Sequence, residues 1–144
     1  MTPSDACYAL VRNAEGLRLA SYQDSKGVWT IGFGHTHGVG PGMTCTADQA
    51  EAWLELDMGE AAAGVNLLAT PCTQDQFDAL TDFAFNEGVH ALETSHLLQY
   101  HRAGDFPDAA HAFSSWVFCD GRILPGLVKR RAAEARLYLG EADT

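Results

Sequence analysis

Apolar residues recur at helical spacing near the start of the chain. Cys7, Leu10, Val11 and Ala14 stand at i, i+3, i+4 and i+7, which predicts a helix over about 3–15, stopped by Gly16. The period then changes. Residues 17–22 and 28–33 are short, partly aromatic and β-branched, and Gln23-Asp24-Ser25-Lys26-Gly27 between them has turn chemistry, so this stretch predicts a β-hairpin. Gly32, Gly34, Gly38, Gly40, Pro41 and Gly42 then make a loop too glycine-rich for regular structure. From Thr46 onward the period is helical. Thr46-Ala47-Asp48-Gln49 has the capping-box pattern and opens a helix with Ala50, Trp53, Leu54, Met58 and Ala61 inward, closed at Gly64. Thr73-Gln74-Asp75-Gln76 repeats that pattern and opens a helix with Phe77, Leu80 and Ala84 on one face, ended by Asn86-Glu87-Gly88. Three more helices are predicted over 95–103, 107–116 and 125–139. The last takes Val128, Ala132, Ala135 and Leu139 as its apolar stripe, with Pro125 in its first turn and Gly140 past its end.

A length of 144 residues and an apolar share of 47% suit one globular core, divisible into two lobes, without staples. Nine Lys+Arg against nineteen Asp+Glu give a net charge of -10, which argues against a nucleic-acid partner, because such binding depends on neutralising many phosphates. No Lys or Arg lies between Lys26 and Arg102, where ten carboxylates predict a negative surface. Arg122, Lys129, Arg130, Arg131 and Arg136, against Glu134 alone, form a basic patch that reads either as a solvated face or as a site for an anionic partner. No apolar run reaches eighteen residues and no basic leader precedes the first helix, so a soluble, leaderless chain without membrane insertion is expected. Cys7, Cys45, Cys72 and Cys119 form no C-x-x-C pair. Free, mostly buried thiols are the favoured reading, with two disulfides as the alternative in an oxidising compartment.

The chemistry concentrates between Glu15 and His35. A carboxylate at a helix end is followed, after eight residues, by Asp24 in the hairpin turn and, after five more, by Thr30 on the return strand. Three different element types can bring these groups to one cleft. Two carboxylates facing a gap are what glycoside hydrolysis needs: one must stay protonated to release the sugar oxygen, and the other must be ionised to activate water or attack the anomeric carbon. Glu15 is the candidate acid, Asp24 on its more exposed turn the candidate base, and the Thr30 hydroxyl can hold a water beside Asp24.

The surrounding words add to this reading. Glu15-Gly16-Leu17-Arg18-Leu19, Tyr22-Gln23-Asp24 and Thr30-Ile31-Gly32-Phe33-Gly34-His35 resemble the phage-type lysozymes, glycoside hydrolase family 24, whose pattern is Glu, eight residues, Asp or Cys, five residues, Thr. The likeness extends through Phe85-Asn86-Glu87-Gly88, Ser95-His96-Leu97-Leu98 and 124–131, nearly the whole chain. His96 departs from it, standing where the family shows Thr, and the acidity departs from the basic charge of many members. The resemblance implies an α+β, lysozyme-like fold over 1–144: a β-hairpin lobe over about 16–45, a helical lobe joined to it by a long helix, and a cleft between them. It implies an endolysin, monomeric, that hydrolyses the β-1,4 bond between N-acetylmuramic acid and N-acetylglucosamine in bacterial peptidoglycan, with enough room between Glu15 and Asp24 for a water. It also implies accumulation in the host cytoplasm and access to the wall once the membrane opens.

Phe33, Gly34, Phe85 and Asn86 are the candidate sugar-binding residues, an aromatic edge and an amide suiting a glycan cleft. A core Phe with a helix-end Asn is the equal alternative at 85 and 86, and Arg130 and Arg131 would meet muropeptide carboxylates if they are not simply solvated. His35-Thr36-His37 lacks further ligands, and the glycine loop lacks Gly-Lys-Ser/Thr, so no metal and no cofactor is expected. A lytic transglycosylase needs no water-activating partner, which Asp24 and Thr30 argue against. A catalytically silent glycan-binding module would have lost its acid or base.

Overall fold

The computed structural model describes residues 1–141; residues 142–144, the end of the expected lysozyme-like unit, lie outside the described residues. The chain runs α1 (Asp5–Glu15), β1 (Arg18–Gln23), β2 (Trp29–Gly32), α2 (Ala47–Ala69), α3 (Gln74–Glu87), α4 (Val89–Thr94), α5 (His96–Arg102), α6 (Phe106–Ala112), a 3-10 turn (Phe113–Ser115), β3 (Phe118–Cys119), β4 (Arg122–Ile123) and α7 (Pro125–Tyr138). The fold is α+β and lysozyme-like, as expected. β1 and β2 pair antiparallel with Tyr22 opposite Thr30 and Gln23 opposite Trp29, and a register shift bends the strand between Arg18 and Tyr22. The glycine loop comes back along the free edge of β1. There Ser21 N donates to Met43 O at 2.8 Å and Cys45 N to Leu19 O at 2.8 Å, so the loop delivers the chain directly to the start of α2.

Helix α2 is the beam of the molecule. At 1.5 Å per residue its 23 residues span about 35 Å. Its first half buries Ala50, Leu54 and Met58 in a small cluster with Cys7 and Val11 of α1 and with Phe33. Its second half buries Ala61, Ala62, Val65 and Ala69 in the larger cluster of the helical lobe. Gly64 does not close this helix, contrary to its expected role. A Cβ there would lie 2.5 Å from a methyl of Val89, so this glycine lets α4 approach, and the unbroken ladder on either side carries the helix on to Ala69.

Both capping boxes form, with Thr46 accepting from Gln49 N and Thr73 from Gln76 N, each at 3.1 Å. Ser95 likewise accepts from Leu98 N at 3.0 Å, so His96 in place of Thr leaves that cap intact. The expected helix over 107–116 is shorter, because α6 gives way to the 3-10 turn, and α4 and the β3–β4 hairpin were not anticipated.

The largest correction falls on α7. Most of its expected stripe is turned outward: Val128, Ala132 and Leu139 are exposed and only Ala135 packs against the core, while Arg130, Arg131, Glu134 and Tyr138 are buried. The cause is α3, the central helix, whose residues Gln76 through Ala84 are all buried, Asp78 and Asp82 included. Buried carboxylates demand partners. Ser4 at the start of α1 donates its backbone N–H (3.0 Å) and its hydroxyl to Asp78, and Arg130 of α7 pairs with Asp82. Pairing with Asp82 rotates α7 so that its guanidinium groups face the core. Tyr138, one turn beyond Glu134, donates its hydroxyl to Nδ1 of buried His101, whose Nε2 donates to Ala69 O at 2.7 Å and thereby ties α5 and α7 to the end of α2.

Candidate active site

Glu15 ends α1, where Gly16, at φ 67°, turns the chain into the hairpin. Its carboxyl is partly buried, and Oε1 accepts from Nη1 of Arg130 at 2.6 Å. Oε2 faces Gly34. A Cβ on Gly34 would lie 2.5 Å from that oxygen, and its φ of +72° also excludes most side chains, so this glycine makes the space in which the carboxyl sits.

Asp24 opens the hairpin turn. Its Oδ1 accepts from Lys26 N and Val28 N, both at 2.9 Å, which leaves Oδ2 without a partner in the turn. The tip is steadied from the other lobe by buried Cys119, whose sulfur lies 3.7 Å from Ser25 Oγ. Thr30 is buried and donates to Val28 O at 2.9 Å, so its hydroxyl oxygen can accept from a water but has already spent its proton. Tyr22 connects the groups: it lies opposite Thr30, and Arg18 covers its ring at 4.1 Å. Burial raises its phenol above the ordinary value, and the charges of Glu15 and Asp24 raise it further against the opposing pull of Arg18. Both carboxylates thus act on one side chain at the cleft.

A groove of about 370 Å³ leads away along Gly34, His37, Asp57, Glu60, Phe85 and Val89, between the glycine loop, α2 and the start of α4. Gly34 and Phe85 therefore share one cleft wall. Phe33 does not line it: its ring is core, packed in the cluster with Cys7, Val11 and Leu54. Asn86 is engaged by Arg131, whose Nη2 donates to its Oδ1. His35, stacked on Trp53 at 4.7 Å and bonded to Asp57 at 2.7 Å, fastens the glycine loop to α2. The four cysteines are free thiols, Cys7 and Cys119 buried and Cys45 and Cys72 half-buried.

Arg130 and Arg131 are neither a solvated face nor free to meet muropeptide carboxylates, since both are buried and paired. Arg130 uses Nε (3.0 Å) and Nη2 (2.8 Å) on Asp82, leaving Nη1 for Glu15. Burial works against both charges. Even so the Asp82 carboxyl is held below its ordinary range, chiefly by Arg130, and Asp82 in turn raises the guanidinium further. The sequence signal for this cluster is faint. Asp78 and Asp82 interrupt an apolar run at i, i+4, and Arg130 and Glu134 share that spacing on α7.

Residues 12–134 match the family model described as phage lysozyme. The chain is 41% identical over 140 residues to the endolysin of Acyrthosiphon pisum secondary endosymbiont phage 1, covering 94% of this chain and 96% of that protein. It is 42% identical over 143 residues to the endolysin of Bacillus phage B103, of whose length it spans 54%. Among solved structures, the endolysin from Escherichia coli O157:H7 phage FAHEc1 superposes with a TM-score of 0.85 at 36% identity, over 96% of this chain and 94% of that one. With its lobes, cleft and sequence words all in agreement, the chain belongs to the phage lysozyme family and has the muramidase function of an endolysin.

Proposed function

We propose that the chain is a lysozyme in the strict sense, hydrolysing the β-1,4 bond between N-acetylmuramic acid and N-acetylglucosamine with Glu15 as general acid. Asp24, ionised, activates a water on the opposite face of the sugar, and Thr30 accepts a hydrogen bond from that water. The observation that carries this reading is the placement of the Glu15 carboxyl: partly buried at the mouth of the cleft, held from behind by Arg130, with Oε2 open toward the space that Gly34 leaves. Such a group is partly shielded from bulk water and faces the space a glycan would enter. Gly34 and Phe85 line the groove a glycan strand would occupy, with Asn86 at the same helix end. The chain acts as a monomer, waits in the host cytoplasm and meets peptidoglycan when the membrane is opened; among the described residues no helix is long and apolar enough to cross a membrane.

Muropeptide analysis of digested wall tests this. Hydrolysis gives saccharides with reducing ends, whereas anhydro products would replace the reading with a lytic transglycosylase. Glu15→Gln keeps the shape but cannot deliver a proton, so a folded variant is expected to clear no wall. Asp24→Asn is expected to lose most of its rate, and an unchanged rate would demote Asp24 to a bystander.

A further inference from the structure

Behind Glu15 lies a buried charged cluster that the reaction as described does not use. Asp82 of α3 and Glu134 of α7 are both fully buried, yet both are carboxyls and they adjoin one another. Two adjacent carboxylates oppose each other's ionisation in such a place. Burial first, then the charge of Asp82, pushes Glu134 well above the ordinary carboxyl range, while Glu134 Oε1 lies 3.0 Å from Arg131 Nε. Asp82 stays ionised on Arg130. The contacts form an ordered chain, from Asp82 to two nitrogens of Arg130 and from the third nitrogen to Glu15, with Glu134 beside Asp82. The other groups facing it are Arg131, 3.0 Å from Glu134 Oε1; Cys7 on α1 and Asp78 on α3, which share the pocket; and Tyr22 and Asp24 on the cleft side of Glu15.

We propose that Glu134 stays protonated beside Asp82 and that the two are positioning residues for the reaction: through Arg130 they fix the Glu15 carboxyl at the cleft and offset much of the guanidinium charge beside it. This rests on Glu15 being the general acid. A lone Arg 2.6 Å from an acid that must arrive protonated would work against catalysis. Paired through two nitrogens with Asp82, the same Arg supplies a rigid donor while much of its charge is compensated. The proton on Glu134 makes the compensation possible, because it lets Asp82 keep its charge beside a second carboxyl.

The test is the pH profile of kcat for Asp82→Asn, Glu134→Gln and Glu134→Ala, measured with KM on soluble peptidoglycan. Asp82→Asn leaves Arg130 uncompensated, so the alkaline limb is expected to move down by about one pH unit, with kcat about tenfold lower and KM little changed. Glu134→Gln keeps a donor toward Asp82 and should retain the profile, whereas Glu134→Ala should move toward that of Asp82→Asn. An Asp82→Asn protein that melts lower but keeps the alkaline limb in place would overturn the proposal and leave these residues a purely structural part. Should the Asp82 variant not fold, infrared spectroscopy of the intact protein decides: a protonated carboxyl band at neutral pH, lost in Glu134→Gln, is expected, and its absence refutes the chain. Activity in a folded Glu15→Gln protein would instead defeat the assignment of Glu15, a result distinct from either.

Discussion

Replacing Gly34 by alanine separates two functions of one glycine. At φ +72° an alanine is strained by about 1–2 kcal/mol whatever surrounds it. The added Cβ would also stand 2.5 Å from Glu15 Oε2 and 2.7 Å from Cδ, where ordinary contact begins near 3.4 Å. A free glutamate would swing aside. This one is clamped at 2.6 Å by Arg130, itself fixed by Asp82, so relief requires the carboxyl to retreat by roughly 1 Å and weaken that clamp. A misplacement of about 1 Å at a reacting group costs about 100-fold in rate. Gly38 provides the control, with φ +71° and nothing within 4 Å of its would-be Cβ. Both variants should melt about 3–8 °C lower, the equivalent of the shared backbone strain in a chain of this size. Only Gly34→Ala should lose about two orders of magnitude in kcat, measured by turbidity loss on purified peptidoglycan well below either melting temperature. Near-normal activity in Gly34→Ala, or an equal loss in both variants, would refute the claim that this glycine exists to seat Glu15.

Stability should depend on pH through the same buried pair. Asp82 is ionised more readily in the folded chain, so its contribution is present above about pH 3.8 and lost as the pH falls through its lowered folded value; Glu134 binds its proton more tightly when folded, so stability declines above about pH 4.5 by up to about 1.4 kcal/mol per unit until Glu134 ionises. Urea unfolding from pH 3 to 8 should show that decline in the native chain and not in Glu134→Gln, and parallel curves would count against it. Gly64→Ala should destabilise by about 1–3 kcal/mol despite alanine's helix propensity, because its Cβ would overlap Val89, and Val89→Ala should restore part of the loss in a thermal double-mutant cycle; a more stable Gly64→Ala would contradict this. With Arg130 and Arg131 withdrawn into the core, the exposed cations of that patch reduce to Arg122, Lys129 and Arg136 against a net charge of -10. Clearing of the anionic wall should therefore rise, or hold, from very low to moderate salt, and a steady fall from the lowest salt would show instead that the patch steers binding.

Local chemistry carries most of what the sequence determines here. The hairpin is written in Gln23-Asp24-Ser25-Lys26-Gly27, the starts of α2 and α3 in Thr46 and Thr73, and the end of α1 in Gly16, because turns and caps are interactions among residues a few positions apart. The Glu15, Asp24 and Thr30 spacing is legible for the same reason, since one short helix-to-hairpin segment holds all three. Tertiary structure decides the rest. Nothing within 125–139 announces that Arg130, Arg131 and Glu134 face inward; the apolar residues of α7 suggest the opposite face, and only Asp82, a carboxylate buried on α3 some fifty positions earlier, reverses it. Gly64 reads as a helix stop because its partner Val89 is distant in sequence, and Phe33 reads as a cleft residue because the core behind it is built by α1 and α2 together. Glu15 is visible in the sequence, but the cluster that holds it is assembled from α1, α3 and α7, and pairing between buried charges, not hydrophobic periodicity, chose which face of α7 turned in.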